Sequence, residues 1–273
     1  MKNIFDHLIC ILSFLIVLSC SQDTIEPISN DENSSNEEQI DETNNEEIEE
    51  EEEEEEVSEN EEEETSENEI EINGTVWSLF NKEVFSVEPT NNGLALDLEQ
   101  NAIWYHSAQG GLLYQTITGD FTFIAAVNVR RKSNQMLAPN CEVCLGGLMA
   151  RNPNDTNSEN YVHVVAGNTP ETVNDGMDEV GVEHKSTTNG NSSYEAIPES
   201  SSNHELRMVR SGSTFSLYSR DINASDWNLV ITYERPDLPN TLQVGFNIYT
   251  AISSSSSTAD LRVICENISL EMN

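Results

Sequence analysis

Two carboxylates one residue apart, Asp97-Leu98-Glu99, are the closest this sequence comes to a hydrolytic pair. Residues i and i+2 of a strand share a face, and two carboxyl groups about 5–5.5 Å apart can divide the roles of nucleophile and acid in glycoside cleavage. Leu94, Leu96 and Leu98 alternate with them, however, and the polar side of a half-buried strand predicts the same letters. No catalytic residue is therefore assigned. Asp178-Glu179 and Glu183 fall in an Asn/Gly-rich loop and the strand after it, and they read as solvated. Gly-x-Ser-x-Gly is absent, and His204-Glu205 has no second His four residues on, so neither a serine hydrolase nor a zincin is written here.

Cys141-Glu-Val-Cys144 has the spacing of a redox pair or of half a zinc site. A thioredoxin-like thiolate needs a helix N-terminus, whereas Gly146-Gly-Leu-Met149 reads as strand. Structural zinc takes four ligands, and Cys265 is the only other cysteine beyond the amino-terminal region. No metal site is assigned. In an oxidising compartment a disulfide is expected. The local Cys141–Cys144 pair is favoured, with Cys144–Cys265, which would join two strands, left open. In the first case Cys265 is a buried thiol.

Trp104-Tyr105-His106 beside the Gly110-Gly111 turn is the densest aromatic and polar grouping. Aromatic faces stack on the C–H surfaces of sugar rings while one or two polar groups fix orientation. Trp104 as a core or edge residue is the competing expectation. Arg151, His163, Arg207, Tyr218, Asn247 and Tyr249 fall on strand faces opposite the apolar set or near it. On neighbouring strands they would make one aromatic-studded polar surface; otherwise they are the wet side of a sheet.

The elements that must carry these residues are strands. Phe121–Val129 alternates Phe121, Phe123, Ala125, Val127 and Val129 on one face, and Leu242–Tyr249, Phe215–Tyr218 and Leu94–Leu98 alternate too. About ten such runs, separated by Gly, Asn, Ser and Pro, predict antiparallel sheets with one buried face. Arg210-Ser-Gly-Ser213 marks a hairpin and Pro236/Pro239 a turn before Leu242. The expected class is all-β, a sandwich or a barrel.

Gly119-Asp-Phe-Thr-Phe123, Gly146–Arg151, Leu206–Gly212 with Phe215, then Trp227 and Val244-Gly245 together resemble the concanavalin A-like lectin/glucanase jelly roll, over residues 75–273. The branch most similar is the LamG-like modules of bacterial extracellular proteins. The resemblance implies a jelly roll with ligands on a concave face or at an edge. Calcium accompanies many lectins of this fold, and Asn152–Ser158, with Asp155, is the oxygen-rich segment that would concern it; no cofactor is otherwise expected.

Ahead of this lies a very different chain. Lys2 and the apolar run Leu8–Leu18 read as a secretion signal, too short to span a bilayer. Ser19-Cys20 at its end resembles the bacterial lipobox, which implies 1–19 as signal and Cys20 as lipidated. Between Ser21 and Ile72 there are 26 acidic residues and no Lys or Arg, with eight consecutive Glu at 49–56. Such a segment buries too little to offset its ordering entropy, so 20–72 is expected to be a disordered linker before a domain at 73–273. The whole chain carries a net charge of −38, which excludes nucleic acid and anionic headgroups as partners. Ser21, with Asp23 and Glu26, resembles the pattern of lipoproteins sent to the outer membrane and cell surface.

The combined expectation is a lipid-anchored, surface-exposed, non-catalytic carbohydrate-binding module whose partner is a polysaccharide or glycan. The alternatives are a glycoside hydrolase or lyase of the glucanase-like superfamily and a protein-binding adhesion or scaffold module.

Overall fold

The computed structural model describes residues 68–141, 143–154, 158–170, 179–251 and 257–273. The expected signal sequence, Cys20, nearly all of the acidic segment expected to be a linker, Asp155 and Asp178 lie outside the described residues.

Strands β1 (Glu69–Ile72) and β2 (Thr75–Phe80) form a first hairpin, β3 (Phe85–Thr90) and β4 (Gly93–Leu98) a second. β5 (Gly111–Thr118), β6 (Phe121–Arg130), β7 (Cys144–Arg151), β8 (Tyr161–Thr169), β9 (Glu179–Thr188) and β10 (Asn191–Pro198) follow. The last five are β11 (Asn203–Ser211), β12 (Thr214–Asp221), β13 (Asn228–Glu234), β14 (Thr241–Tyr249) and β15 (Arg262–Met272). They pair in two antiparallel sheets, one of eight strands in the order β1-β2-β5-β14-β7-β8-β9-β10 and one of seven in the order β13-β12-β11-β6-β15-β4-β3. This is an all-β, two-sheet antiparallel jelly-roll sandwich: the alternating runs predict its strands, and the resemblance implies its jelly-roll arrangement. β1 begins ahead of position 73, because Ile70 and Ile72 alternate with Glu69 and Glu71 and pack inward.

Apolar residues of the two sheets meet between them, with Phe246 of one sheet edge-on to Phe123 of the other at 5.0 Å between ring centroids. β11 and β12 bury every second residue, as a strand with one wet side must. β7 and β8 are buried at every position. Their outward residues, with those of β14, form a second apolar cluster of Leu145, Met149, Tyr161, Val165 and Tyr249 under Trp104. The cover is the strap of residues 99–110 between β4 and β5.

Three further ties fix the frame. Cys141 and Cys144 are disulfide-bonded, as favoured, and Cys265 is a free thiol sealed in the core. The β9–β10 turn uses Asn189 and Gly190 at φ 49° and 73°, as a two-residue hairpin loop demands; a Cβ on Gly190 would also meet Ser107 of the strap at 2.5 Å. Arg235, in the turn before β14, is buried and uses all its donors: Nη1 to Tyr161 O and Ser186 Oγ, Nη2 to Thr187 O and Asp237 Oδ2, Nε to Asp237 Oδ1. It pins the end of β13 in the seven-stranded sheet to β8 and β9 in the eight-stranded one.

Candidate functional site

The register across the eight-stranded sheet aligns Gly245, Met149, His163, Lys185 and Tyr194 in one row and Asn247, Gly147, Val165, Glu183 and Ala196 in the next. All lie on the outer face, because the alternate positions Phe246, Leu148, Val164 and Val182 belong to the core between the sheets. The rows gather His163, Asn247, Glu183 and Lys185 with Tyr249 into one buried polar cluster.

Glu183 is its centre. Lys185 Nζ lies 3.0 Å from Glu183 Oε1, Tyr249 OH donates to the same oxygen at 2.7 Å, and His163 Nε2 is 3.2 Å from it. His163 Nδ1 is 3.2 Å from Asn247 Nδ2, and Lys185 Nζ donates to Trp104 O of the strap at 2.9 Å. Burial alone would raise the Glu183 carboxyl, but Lys185, His163 and Tyr249 hold it down at about 2. Burial, with the Lys185 charge, pushes His163 down to about 4 against its contact with Glu183. Near neutral pH the cluster therefore holds a carboxylate and a neutral imidazole. Glu183 Oε2 and Asn247 Oδ1 are buried acceptors with no partner among the described residues. The reading of Glu183 as solvated is thus corrected: it is fully buried, and the opposite charge at i+2 on the same strand face is the signal that marks it.

Both shifts are depressions below the unfolded values, so the unfolded chain binds more protons throughout each window and stability falls as pH falls. The His163 contribution is lost from pH 6.5 toward about 4, and that of Glu183 from 4.5 toward about 2. Thermal melts from pH 7 to 4 should show a steep decline that His163→Gln makes shallower; an unchanged slope would remove His163 as its source.

Arg151 belongs to the same face but not to the cluster. It grips Glu159 with two bonds of 2.7 Å, donates to Gln243 Oε1 at 2.6 Å and lies 4.2 Å over the Phe80 ring. Trp104 is fully buried, stacked at 6.0 Å on Phe80 and edge-on to Tyr161 at 5.5 Å. Expectation and structure differ here for one reason. The strap roofs this part of the sheet, so Trp104, Arg151, His163, Asn247 and Tyr249 share a face yet none is open to solvent.

What reaches the surface is the far end of the strap. Tyr105 sits edge-on to Tyr194 at 6.0 Å, and Tyr194 is 45% exposed. Both rings cap the Lys185 ammonium, at 5.6 and 5.3 Å. His106, at φ 53°, lies tilted against Tyr105 with ring centroids 4.0 Å apart, and its backbone N donates to Ser192 Oγ. Tyr194 is missing from the sequence candidates because β10 has no apolar alternation to announce it.

Arg207 and Tyr218 are not part of this face. They lie on the outer side of the seven-stranded sheet, where the Arg207 guanidinium rests 3.9 Å over Tyr218 and 4.8 Å over Trp227. The condition for one shared surface, neighbouring strands, is therefore not met: the candidates are divided between the two sheets. Asp97 and Glu99 are on that second sheet or just past its strand, and both are ion-paired: Asp97 accepts from Arg262 at 2.9 Å, and Glu99 from Ser86 at 2.7 Å and Lys132 at 2.9 Å.

No protein-family model and no curated protein matches the sequence. Among solved structures, a functionally unknown protein from Saccharomyces cerevisiae is similar at TM-score 0.56 and 14% identity, over 72% of this chain and 96% of that one. The GH43 protein BlXynB from Bacillus licheniformis gives 0.47 and 11%, over 70% of this chain and 36% of its own. Winged bean acidic lectin, complexed with methyl-α-D-galactose, gives 0.44 and 11%, over 74% and 94%. This chain thus spans about a third of that GH43 protein's length. On its own topology and its likeness to the yeast protein, the chain has a two-sheet antiparallel jelly-roll fold.

Proposed function

We propose that the protein is a non-catalytic glycan-binding module, held at the outer surface of the cell envelope by lipidated Cys20 with the acidic segment as spacer. The observation that carries the binding reading is the exposed Tyr105–Tyr194 pair, fixed over Lys185 and bordered by His106 and Ser192. A preordered ledge of two aromatic rings set nearly at right angles, with hydroxyl and imidazole groups at its margin and the Lys185 ammonium buried beneath, suits a sugar ring, whose faces are apolar and whose rim is polar. Lys185 is neutralised by Glu183, so the ledge favours neutral sugars over acidic ones. The ion-paired state of Asp97 and Glu99 argues against their use in hydrolysis.

Affinity electrophoresis against neutral and acidic polysaccharides tests this. Retardation is expected with at least one neutral glycan, and Tyr194→Ala should weaken it about tenfold, equivalent to about 1.4 kcal/mol. Silence across the panel, or full retention by Tyr194→Ala, would overturn the reading. Mass spectrometry of the membrane-extracted protein tests the anchor: an amino-terminal diacylglyceryl Cys20 supports it and a free Cys20 removes it.

A second reading, a polysaccharide-cleaving enzyme, is favoured by one contact. Tyr249 OH lies 3.4 Å from His163 Nε2, and both groups touch Glu183, an acid-base grouping that a substrate reaches only where the strap above it is displaced. Sugar release or new ultraviolet absorbance from a polysaccharide, abolished in His163→Ala and Tyr249→Phe, would promote it.

A further inference from the structure

We infer that the mouth between the β1–β2 and β3–β4 hairpins is a second binding site, which takes a single neutral sugar unit. A cavity of about 250 Å³ opens there between the two sheets. Its wall is Trp77, Leu94 and Ile268, and its rim is Asn73, Thr75 and Asn92.

The opening is built by three backbone irregularities. Asn73 and Gly74 turn the first hairpin with φ of 53° and 79°, and Asn92 stands in the two-residue turn of the second. β15 shifts register against β6 between Glu266 and Ser269, with Asn267 at φ 51°. Such a bulge adds a residue to one strand and re-aims its neighbours; here Ile268, next to the irregular residue, becomes part of the cavity wall.

The lining sets the ligand class. None of its residues is ionisable, so nothing there would neutralise a phosphate, a uronate carboxylate or a metal ion. An indole and three branched side chains, Ile72 among them, face two amides and a hydroxyl. That mixture matches a pyranose, which has apolar C–H faces and donor-acceptor hydroxyls at its edge. Size narrows it further. A water's share of liquid volume is about 30 Å³, so the space equals that of about eight waters. One hexose fits it, while an oligosaccharide could enter only by its end. The site shares no residue with the Tyr105–Tyr194 ledge, and either can fail alone.

The test follows the indole ¹⁵N–¹H signals of the full chain, whose three tryptophans are Trp77, Trp104 and Trp227, with Trp77→Phe identifying the relevant peak. D-glucose, D-galactose, D-mannose and N-acetyl-D-glucosamine are the probes, each titrated through the millimolar range. At least one should shift the Trp77 signal saturably. Ile268→Phe, which fills the cavity, should abolish the shift, and Asn92→Ala, on an exposed turn, should weaken the titration about fivefold. Tyr194→Ala should leave it unchanged. The inference falls if none of the four sugars moves Trp77, or if the shift is equally strong in both Ile268→Phe and Asn92→Ala.

Discussion

Trp104→Ala should destabilise the protein by about 3–5 kcal/mol, the cost of deleting a fully buried aromatic that cannot be refilled from solvent. At this domain size that lowers the melting temperature by on the order of 10 °C. The indole touches more than its area suggests. It is the only strap residue in the outer-face apolar cluster's buried set, it stacks on Phe80, and its Nε1 donates to Gly111 O at 3.3 Å. Its own carbonyl receives Lys185. With the indole gone, the strap loses its anchor, and Tyr105 loses its fixed place over Lys185. Glycan retention should therefore fall together with stability, whereas Tyr105→Ala should reduce retention with less than about 1 kcal/mol of destabilisation, since that ring is only half-buried. Trp104→Phe should recover part of both. Calorimetry and affinity electrophoresis on the same samples check the coupling; a Trp104→Ala protein that melts like the wild type would show that the strap is held by its hydrogen bonds alone.

Arg235→Ala should cost a similar amount, about 3–5 kcal/mol, by a different route. It leaves Tyr161 O and Thr187 O without their guanidinium donor in a dry place, and Asp237 without its cation. Arg235→Lys should recover little, because one ammonium cannot serve acceptors spread over five fixed directions. Denaturant unfolding of both variants measures this. A Lys variant as stable as the wild type would mean that charge, and not the planar fork, joins the sheets. Arg235 also holds Asp237 below the usual carboxylate range, so part of the difference between wild type and Arg235→Ala should fade as that carboxyl protonates in acid.

The sandwich was legible because half-buried strands repeat with period two, and Phe121–Val129 or Leu206–Met208 show that period without interruption. Harder to foresee was the double burial of β7 and β8. A run such as Tyr161–Val165 reads as a strand, but nothing in it says which loop will roof its second face. Residues 99–110 are that roof, and Trp104 turned out to be its underside, one of the two roles the residue type allowed. His163, Asn247 and Tyr249 were rightly grouped, since parity along β8 and β14 fixes their face. Arg207 and Tyr218 were grouped with them wrongly, because parity says inward or outward and never which sheet. Glu183 was missed through its neighbourhood: the Asn/Gly-rich segment before β9 suggested water, while the alternating Glu183 and Lys185 already held the pattern of a same-face ion pair. The Asn-Gly pairs at 73–74 and 189–190 are the turn signals that would have located β1, β2, β9 and β10.

The shortness of β1 has a mechanical consequence. Its four rungs to β2, from Glu69–Ser78 to Ile72–Thr75, begin at the open end of an edge hairpin. A load arriving from the amino-terminal side meets those rungs one at a time, as a zip does, and not all at once in shear. The rest of the eight-stranded sheet is spared until that zip has run. Since Ile72 is the last rung and also borders the cavity between the hairpins, the final step of that unzipping would open the cavity wall, so that pulling and holding a ligand there compete.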